Sequence, residues 1–433
     1  MIDADDRWVT GDHSGLRIPA DPAALRAGGT AFLTQAFRAS GALAADNAVT
    51  GISQFDEVPG GSTGRKLLLR VEHENPDTHT HTDLFVKFSR DLANPVRDRG
   101  KTQMESEVLF ASLSRAPAFP ITVPTTQFAD YHRDTGTGIL ITERIQFGAN
   151  GVERQYHKCL DYEMPAALDH YRTLLAALAR LVGYHRSGRL AARVASQFPA
   201  DIQAATVGER IPISADKLGR RLSRLAEFAD TSPGLLPANV RSPQFIARLR
   251  DDAPRFLRHE PAAWSYLAGQ RDYLALCHWN ANVDNAWFWR GADDVLHCGL
   301  LDWGCVGQMN IAMALWGAMS GAETDMWDHH LDDLLGLFVS EIRRGGGPDL
   351  NVGELHDQLM LYVGIMAVAW LLDVPALIRS RFGDSASSLS RDDACIKDDE
   401  SIRAPLQMLT NALNLWETRY FGDLLDAALG RTR

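Results

Sequence analysis

The chain has 433 residues, 45% of them hydrophobic and 23% charged, with no internal repeat at a fixed period; it is long and apolar enough for a sizeable core, which excludes a disordered protein or a solenoid. Its 44 Lys and Arg against 55 Asp and Glu leave a net charge of −11, which argues against a general nucleic-acid binder, since such proteins neutralise phosphates with a basic surface. A cationic or neutral partner is easier to accommodate at that charge.

The acidic start, Met1-Ile2-Asp3-Ala4-Asp5-Asp6, does not read as an export signal. The longest apolar run, Leu359 to Leu372, falls short of the roughly 20 residues of a spanning helix and predicts a buried one, with no membrane span. Five scattered cysteines are the usage of a reducing compartment, so the expected location is cytoplasmic.

In chain order, Phe32, Leu33, Ala36 and Phe37 predict a helix over 30–40 with Thr30 as its cap. Alternation then predicts three antiparallel strands at 49–58, 66–72 and 84–88, with a Gly-rich turn at Pro59 to Gly64 between the first two. Met104, Val108, Leu109 and Leu113 predict a helix over 102–113, and Gly138 to Thr142 a further strand. Beyond about 165 helices dominate, at 170–186, 354–372 and 406–429, with a hairpin around Gly291 to Asp294. About 190–270 reads as a helical insertion, and the arginines Arg220, Arg221 and Arg224 as one solvated face. The aromatics Trp287, Phe288, Trp289 and Trp303 read as packing around the hairpin.

The expected fold class is therefore α+β, with a small antiparallel β lobe over 1–145 and a mostly helical lobe over 146–433.

Glycines Gly60, Gly61 and Gly64 remove side chains from a turn whose N–H groups can then approach a polyphosphate. Lys87, on a strand among Phe85, Val86 and Phe88, needs an acidic partner, and Glu107 on the next helix is the candidate. Further on come Cys277-His278-Trp279-Asn280-Ala281-Asn282-Val283-Asp284-Asn285 and, after the hairpin, Leu301-Asp302-Trp303-Gly304.

This order resembles the small-molecule kinases of the aminoglycoside-phosphotransferase and choline-kinase kinds, whose pattern is His-Gly-Asp-x-x-x-x-Asn followed by Ile-Asp-Trp. The resemblance implies a two-lobed protein-kinase-like fold with Mg2+ and ATP in the cleft between lobes, and transfer of phosphate to a hydroxyl of a small-molecule acceptor. It places His278 at the family's His, Asn285 and Asp302 at the metal, Lys87 and Glu107 at the ion pair that holds phosphates, and Glu143 to Ile145 at the hinge that binds adenine.

The family's catalytic Asp falls on Asn280 and its Gly on Trp279. An amide accepts a hydrogen bond but takes no proton. Three outcomes follow: slow phosphotransfer with Asn280 orienting the acceptor or Asp284 supplying a carboxylate, a different nucleotide-dependent transfer, or a nucleotide-binding pseudokinase.

Overall fold

The computed structural model describes residues 7–60, 63–75, 80–200 and 213–431. They fall into two compact units: Met1–Glu153 with Gly299–Val306, and Arg154–Cys298 with Gly307–Arg433.

The first unit is built on a five-stranded antiparallel sheet. Its strands are β1 (Val49–Val58), β2 (Arg65–His73), β3 (Asp83–Phe88), β4 (Thr126–His132) and β5 (Thr137–Glu143), in the order β1-β2-β3-β5-β4. The alternation predicted from sequence is what divides its faces. Leu67, Leu69, Val71, Leu84, Val86 and Phe88 join one core with Phe32, Leu33, Ala36 and Phe37 of the helix α1 (Pro22–Ala39). Helix α2 (Gln103–Leu113) packs on β4 and β5.

Two expectations in this unit are corrected. The helix α1 begins eight residues before the expected cap, because Asp21 accepts the Ala24 N–H at 2.8 Å and Pro22 fills its first turn. Its backbone breaks at Gly29, where φ is 52°, so Thr30 restarts the helix after the kink. Strand β4 has no counterpart in the sequence reading.

The second unit is mostly helical. Helix α3 (Ala167–Arg186) buries Leu174, Leu178, Leu181 and His185 as their spacing predicts, and packs along α7 (Thr324–Arg344). After a short helix at Ala191–Gln197, the intervening elements are α4 (Ala215–Thr231), α5 (Pro243–Gly269), β6 (Leu274–His278), β7 (Ala286–Arg290), β8 (Leu296–Leu300, which runs into the first unit's segment), β9 (Val306–Asn310) and α6 (Ile311–Met319). The helices α8 (Val352–Ala369), α9 (Glu400–Thr418) and α10 (Phe421–Arg431) follow, with shorter helices at Val374–Phe382 and Ala394–Lys397 between the first two. The stretch Val352–Ser388 is apolar enough to pass for a membrane span, but 78% of its most apolar window is buried, as expected of a core helix.

The predicted helix over 406–429 is two helices, divided at Tyr420, which has φ 50°. The solvated-arginine reading fails at Arg221, which is 6% exposed. Its guanidinium donates to the terminal carbonyls Val368 and Ala369 of α8 at 3.2 and 3.0 Å and pairs with Asp373 at 3.0 Å. A cation there satisfies carbonyls that the helix itself leaves unbonded. Part of the 190–270 insertion, residues 201–212, lies outside the described residues.

Candidate functional site

The strand unit carries one constellation. Lys87 Nζ donates to Glu107 Oε1 at 2.7 Å and to Asp302 Oδ1 at 2.8 Å. The lysine and glutamate side chains are 13% and 8% exposed, whereas Asp302 is 43% exposed and open to a ligand. Burial by itself pulls the Lys87 ammonium toward neutrality, but the two carboxylates outweigh it and keep the lysine charged. Burial raises the Glu107 carboxyl against the pull of Lys87, with the charge of Asp302 adding to the rise, because one cation cannot fully compensate two anions.

Glu107 also accepts the Trp303 N–H at 3.3 Å, and the Trp303 ring stacks on Phe110 with centroids 3.7 Å apart. The Asp-Trp-Gly segment is thereby pinned to α2. Asp302 itself sits at φ 64°, ψ 62°, the left-handed region that Asp tolerates better than most residues and that concentrates at functional positions.

The register of the sheet adds a residue that the sequence reading missed. Lys66 on β2 is the direct partner of Lys87 on β3. Burial and then the charge of Lys87 lower the Lys66 pKa, while Asp302 opposes the fall. The signal was present in sequence, since Lys66 shares the alternation parity of Leu68 and Arg70, opposite to the core residues Leu67 and Leu69.

The Gly-rich turn lies beside these lysines. Gly60 O accepts from Lys66 Nζ and from Arg97, each at 3.1 Å, and Gly64 O accepts from Arg97 at 2.5 Å. Gly64, at φ 52°, admits no side chain, because a Cβ would fall 1.8 Å from the Phe88 carbonyl oxygen. Gly61 lies outside the described residues. At the far end of β5, the Glu143 carboxylate accepts the Thr125 N–H at 2.8 Å and pairs with His81 at 3.3 Å. The backbone N–H and C=O of Ile145 make no hydrogen bond among the described residues, which leaves both to an outside partner.

The helical unit carries the second constellation. His278 is fully buried and its Nδ1 accepts the Asn280 N–H at 3.3 Å, so it positions the loop rather than touching a ligand. Asn280 Oδ1 accepts from Asn282 Nδ2 at 2.8 Å, and its carbonyl accepts from Asn285 Nδ2 at 2.9 Å. The 278–285 loop is thus laced by its own amides. Trp279 Nε1 donates to the Tyr362 hydroxyl at 2.9 Å, and its carbonyl lies against Gly317 of α6, where a Cβ would approach within 1.6 Å. The Asp284 carboxylate faces Lys158 Nζ at 3.8 Å, and its carbonyl accepts from Gln155 at 3.2 Å.

Three of the four aromatics are packed as expected, with Trp287, Phe288 and Trp303 each 5% exposed or less and Phe288 edge-on to His170 at 4.7 Å, whereas Trp289 is half-buried and stacks on Trp287 at 6.2 Å. Among the described residues, no three His, Cys, Asp or Glu side chains gather to hold a metal ion. A hard cation such as Mg2+ instead takes few carboxylates and the phosphates of its nucleotide. Asp302 offers such an oxygen, and so does Asn285, whose amide nitrogen is engaged with the Asn280 carbonyl.

No family model matches the sequence, and neither does any curated protein. Among solved structures, the chain is similar to a choline/ethanolamine kinase family protein from Mesorhizobium loti at 16% identity, covering 88% of this chain and 94% of that one, with a TM-score of 0.40. A choline kinase from Cryptosporidium parvum Iowa II shares 11% identity over 87% of this chain and 91% of that one, with a TM-score of 0.40. An aminoglycoside phosphotransferase from Streptomyces rimosus, in complex with ADP and streptomycin, shares 14% over 78% and 98%, with a TM-score of 0.34. These are kinases of the two kinds that the motif order resembles.

Proposed function

We propose that the strand unit binds a nucleoside triphosphate with Mg2+, and that the protein transfers its terminal phosphoryl group to a hydroxyl of a small molecule. The observation that carries this reading is the Lys66 and Lys87 pair, direct register partners whose side chains leave the same face of the sheet, one beside the Gly-rich turn and one beside Asp302. Lys87 is already balanced by Glu107 and Asp302, so Lys66, which among the described residues donates only to the Gly60 carbonyl, is the cation left for phosphate oxygens, while a metal on Asp302 would free Lys87 to join it. Asp302, with part of its carboxylate open, holds the metal, and the unbonded backbone of Ile145 takes the base, ATP being the expected nucleotide.

The metal, when bound, neutralises charge that develops on the transferring phosphoryl group. Lys66 and Lys87 hold the phosphates in line. Asn280, in the helical unit, offers an amide oxygen to accept the hydrogen bond of the acceptor hydroxyl. A new bond forms between the hydroxyl oxygen and the terminal phosphorus as the bridging phosphorus–oxygen bond to the diphosphate breaks. The hydroxyl proton leaves to solvent, since an amide cannot keep it. A general base commonly supplies about 10²–10⁴-fold, and its loss makes this a slow kinase.

A second reading, nucleotide binding without transfer, is favoured by one observation: Asn280 Oδ1 is already engaged by Asn282. Calorimetry with Mg-ATP on the wild type and Asp302→Ala tests binding, and ATP consumption across a panel of hydroxylated acceptors tests transfer. Binding lost in Asp302→Ala together with acceptor-dependent turnover supports the kinase. Binding without turnover supports the second reading, and no binding at millimolar nucleotide removes both.

A further inference from the structure

The helical unit contains a cavity of about 210 Å³ whose lining includes Leu235 and Leu236 from the loop after α4, Ile396, and Arg403 and Leu406 on α9. That is many times the roughly 10–15 Å³ that a single water occupies on this measure, so the space suits a small organic molecule. Arg391 also lines it, but its charge is met by Glu323 at 2.7 Å.

Arg403 is different. Its Nε donates to the Lys158 carbonyl at 3.0 Å and its Nη1 to the Lys397 carbonyl, both neutral acceptors. It forms no ion pair among the described residues, and no Asp or Glu lines the cavity. A guanidinium carries five N–H donors in a planar fork, so two backbone bonds leave donors for a further partner. A half-buried cation without an anion is costly, and the cost falls when a ligand brings the missing charge.

The cavity is also tied to the 278–285 loop through one residue. Lys158 receives Arg403 on its carbonyl and reaches Asp284 with its ammonium group.

We propose that this cavity binds a small organic carboxylate, with the carboxylate on Arg403 and the hydrocarbon body against Leu235, Leu236, Ile396 and Leu406. The chain's net charge of −11 gives no hint of such a site, whose anion-binding group is Arg403 alone, since Arg391 is paired with Glu323. The proposal does not depend on phosphoryl transfer.

The test uses the full chain and three probes of one shape: 3-phenylpropanoate, 3-phenylpropan-1-ol and 3-phenylpropylamine, followed by ligand-detected NMR. The carboxylate is expected to bind at least tenfold more tightly than the alcohol or the amine, and Arg403→Met to remove that preference. Since Arg403 also caps two carbonyls, Leu406→Trp provides a second route. It fills the cavity, leaves the guanidinium in place, and is expected to abolish carboxylate binding while Mg-ATP affinity stays unchanged. Equal or better binding of the amine or alcohol, or carboxylate binding indifferent to Leu406→Trp, overturns the proposal. Asp302→Ala separates this site from the nucleotide site, because it is expected to weaken Mg-ATP and leave 3-phenylpropanoate binding intact.

Discussion

Lys66 and Lys87 are direct partners across the antiparallel strands β2 and β3, and only Lys87 is held by carboxylates, at 2.7 Å from Glu107 and 2.8 Å from Asp302. Lys66 donates instead to the carbonyl of Gly60, at the Gly-rich turn. One lysine is locked and its neighbour is poised, which is a division of labour suited to a ligand that arrives and leaves.

It follows that Lys66→Met relieves a like-charge contact and the burial of an ammonium group, so the variant unfolds at equal or higher denaturant than the wild type. Its Mg-ATP affinity falls by about tenfold, or about 1.4 kcal/mol. Paired denaturation and calorimetry check both signs, and a stability loss with unchanged nucleotide binding contradicts the assignment.

Lys87→Met leaves Glu107 buried without its cation and destabilises the fold by about 3–5 kcal/mol, the usual result of breaking a buried pair from one side. The double variant Lys87→Met with Glu107→Leu removes both charges and recovers much of that loss, while nucleotide binding stays lost in both. Urea unfolding of the two single variants and the double variant measures the coupling directly.

Asn280→Asp places a carboxylate where Oδ1 still accepts from Asn282 and Oδ2 is free to take a proton. Acceptor-dependent ATP turnover is expected to rise by about 10²–10⁴-fold with Mg-ATP and acceptor both saturating. Adding Trp279→Gly removes the bond to Tyr362 and lowers stability, so the rate comparison is made well below the melting temperature. A falling rate in Asn280→Asp shows that the amide serves a different chemistry.

The pH dependence of stability turns on Asp161, whose carboxyl burial pushes up from its ordinary 3.8 to about 7. Between pH 4 and pH 7 the folded chain keeps a proton that the unfolded chain has released, so this group makes folding less favourable as pH rises through that window. Burial lowers His185 from 6.5 to about 4, and it acts with the opposite sign, adding stability as pH rises from 4 to 6.5. Asp161→Asn keeps acceptors for Tyr171 and the Glu323 N–H and removes only the first slope. Relative to the wild type, its stability curve climbs across this range and ends higher above pH 7, by an amount on the order of 1–3 kcal/mol. Chemical denaturation at pH 4 to 8 reads the difference.

The sequence by itself determined most of the local elements and one buried ion pair. Strand-type composition between turns located β1, β2, β3 and β5, with clear alternation in β2, helical spacing located α1, α2 and α3, and the buried strand lysine called for the acid that Glu107 provides. These signals are legible because they depend on neighbours a few positions away. Tertiary structure decided the rest. Strand β4 was hidden because Asp130, fully buried at its centre, breaks the apolar alternation, and its carboxylate is satisfied by the N–H groups of His13 and Ser14, more than a hundred residues away. The register that sets Lys66 against Lys87, the burial of Arg221 beneath α8 and the charge of the Arg403 cavity likewise arise from segments remote in sequence. Periodicity reports which face of an element is apolar; which partner meets that face is settled only when distant segments pack and their polar groups must all be satisfied.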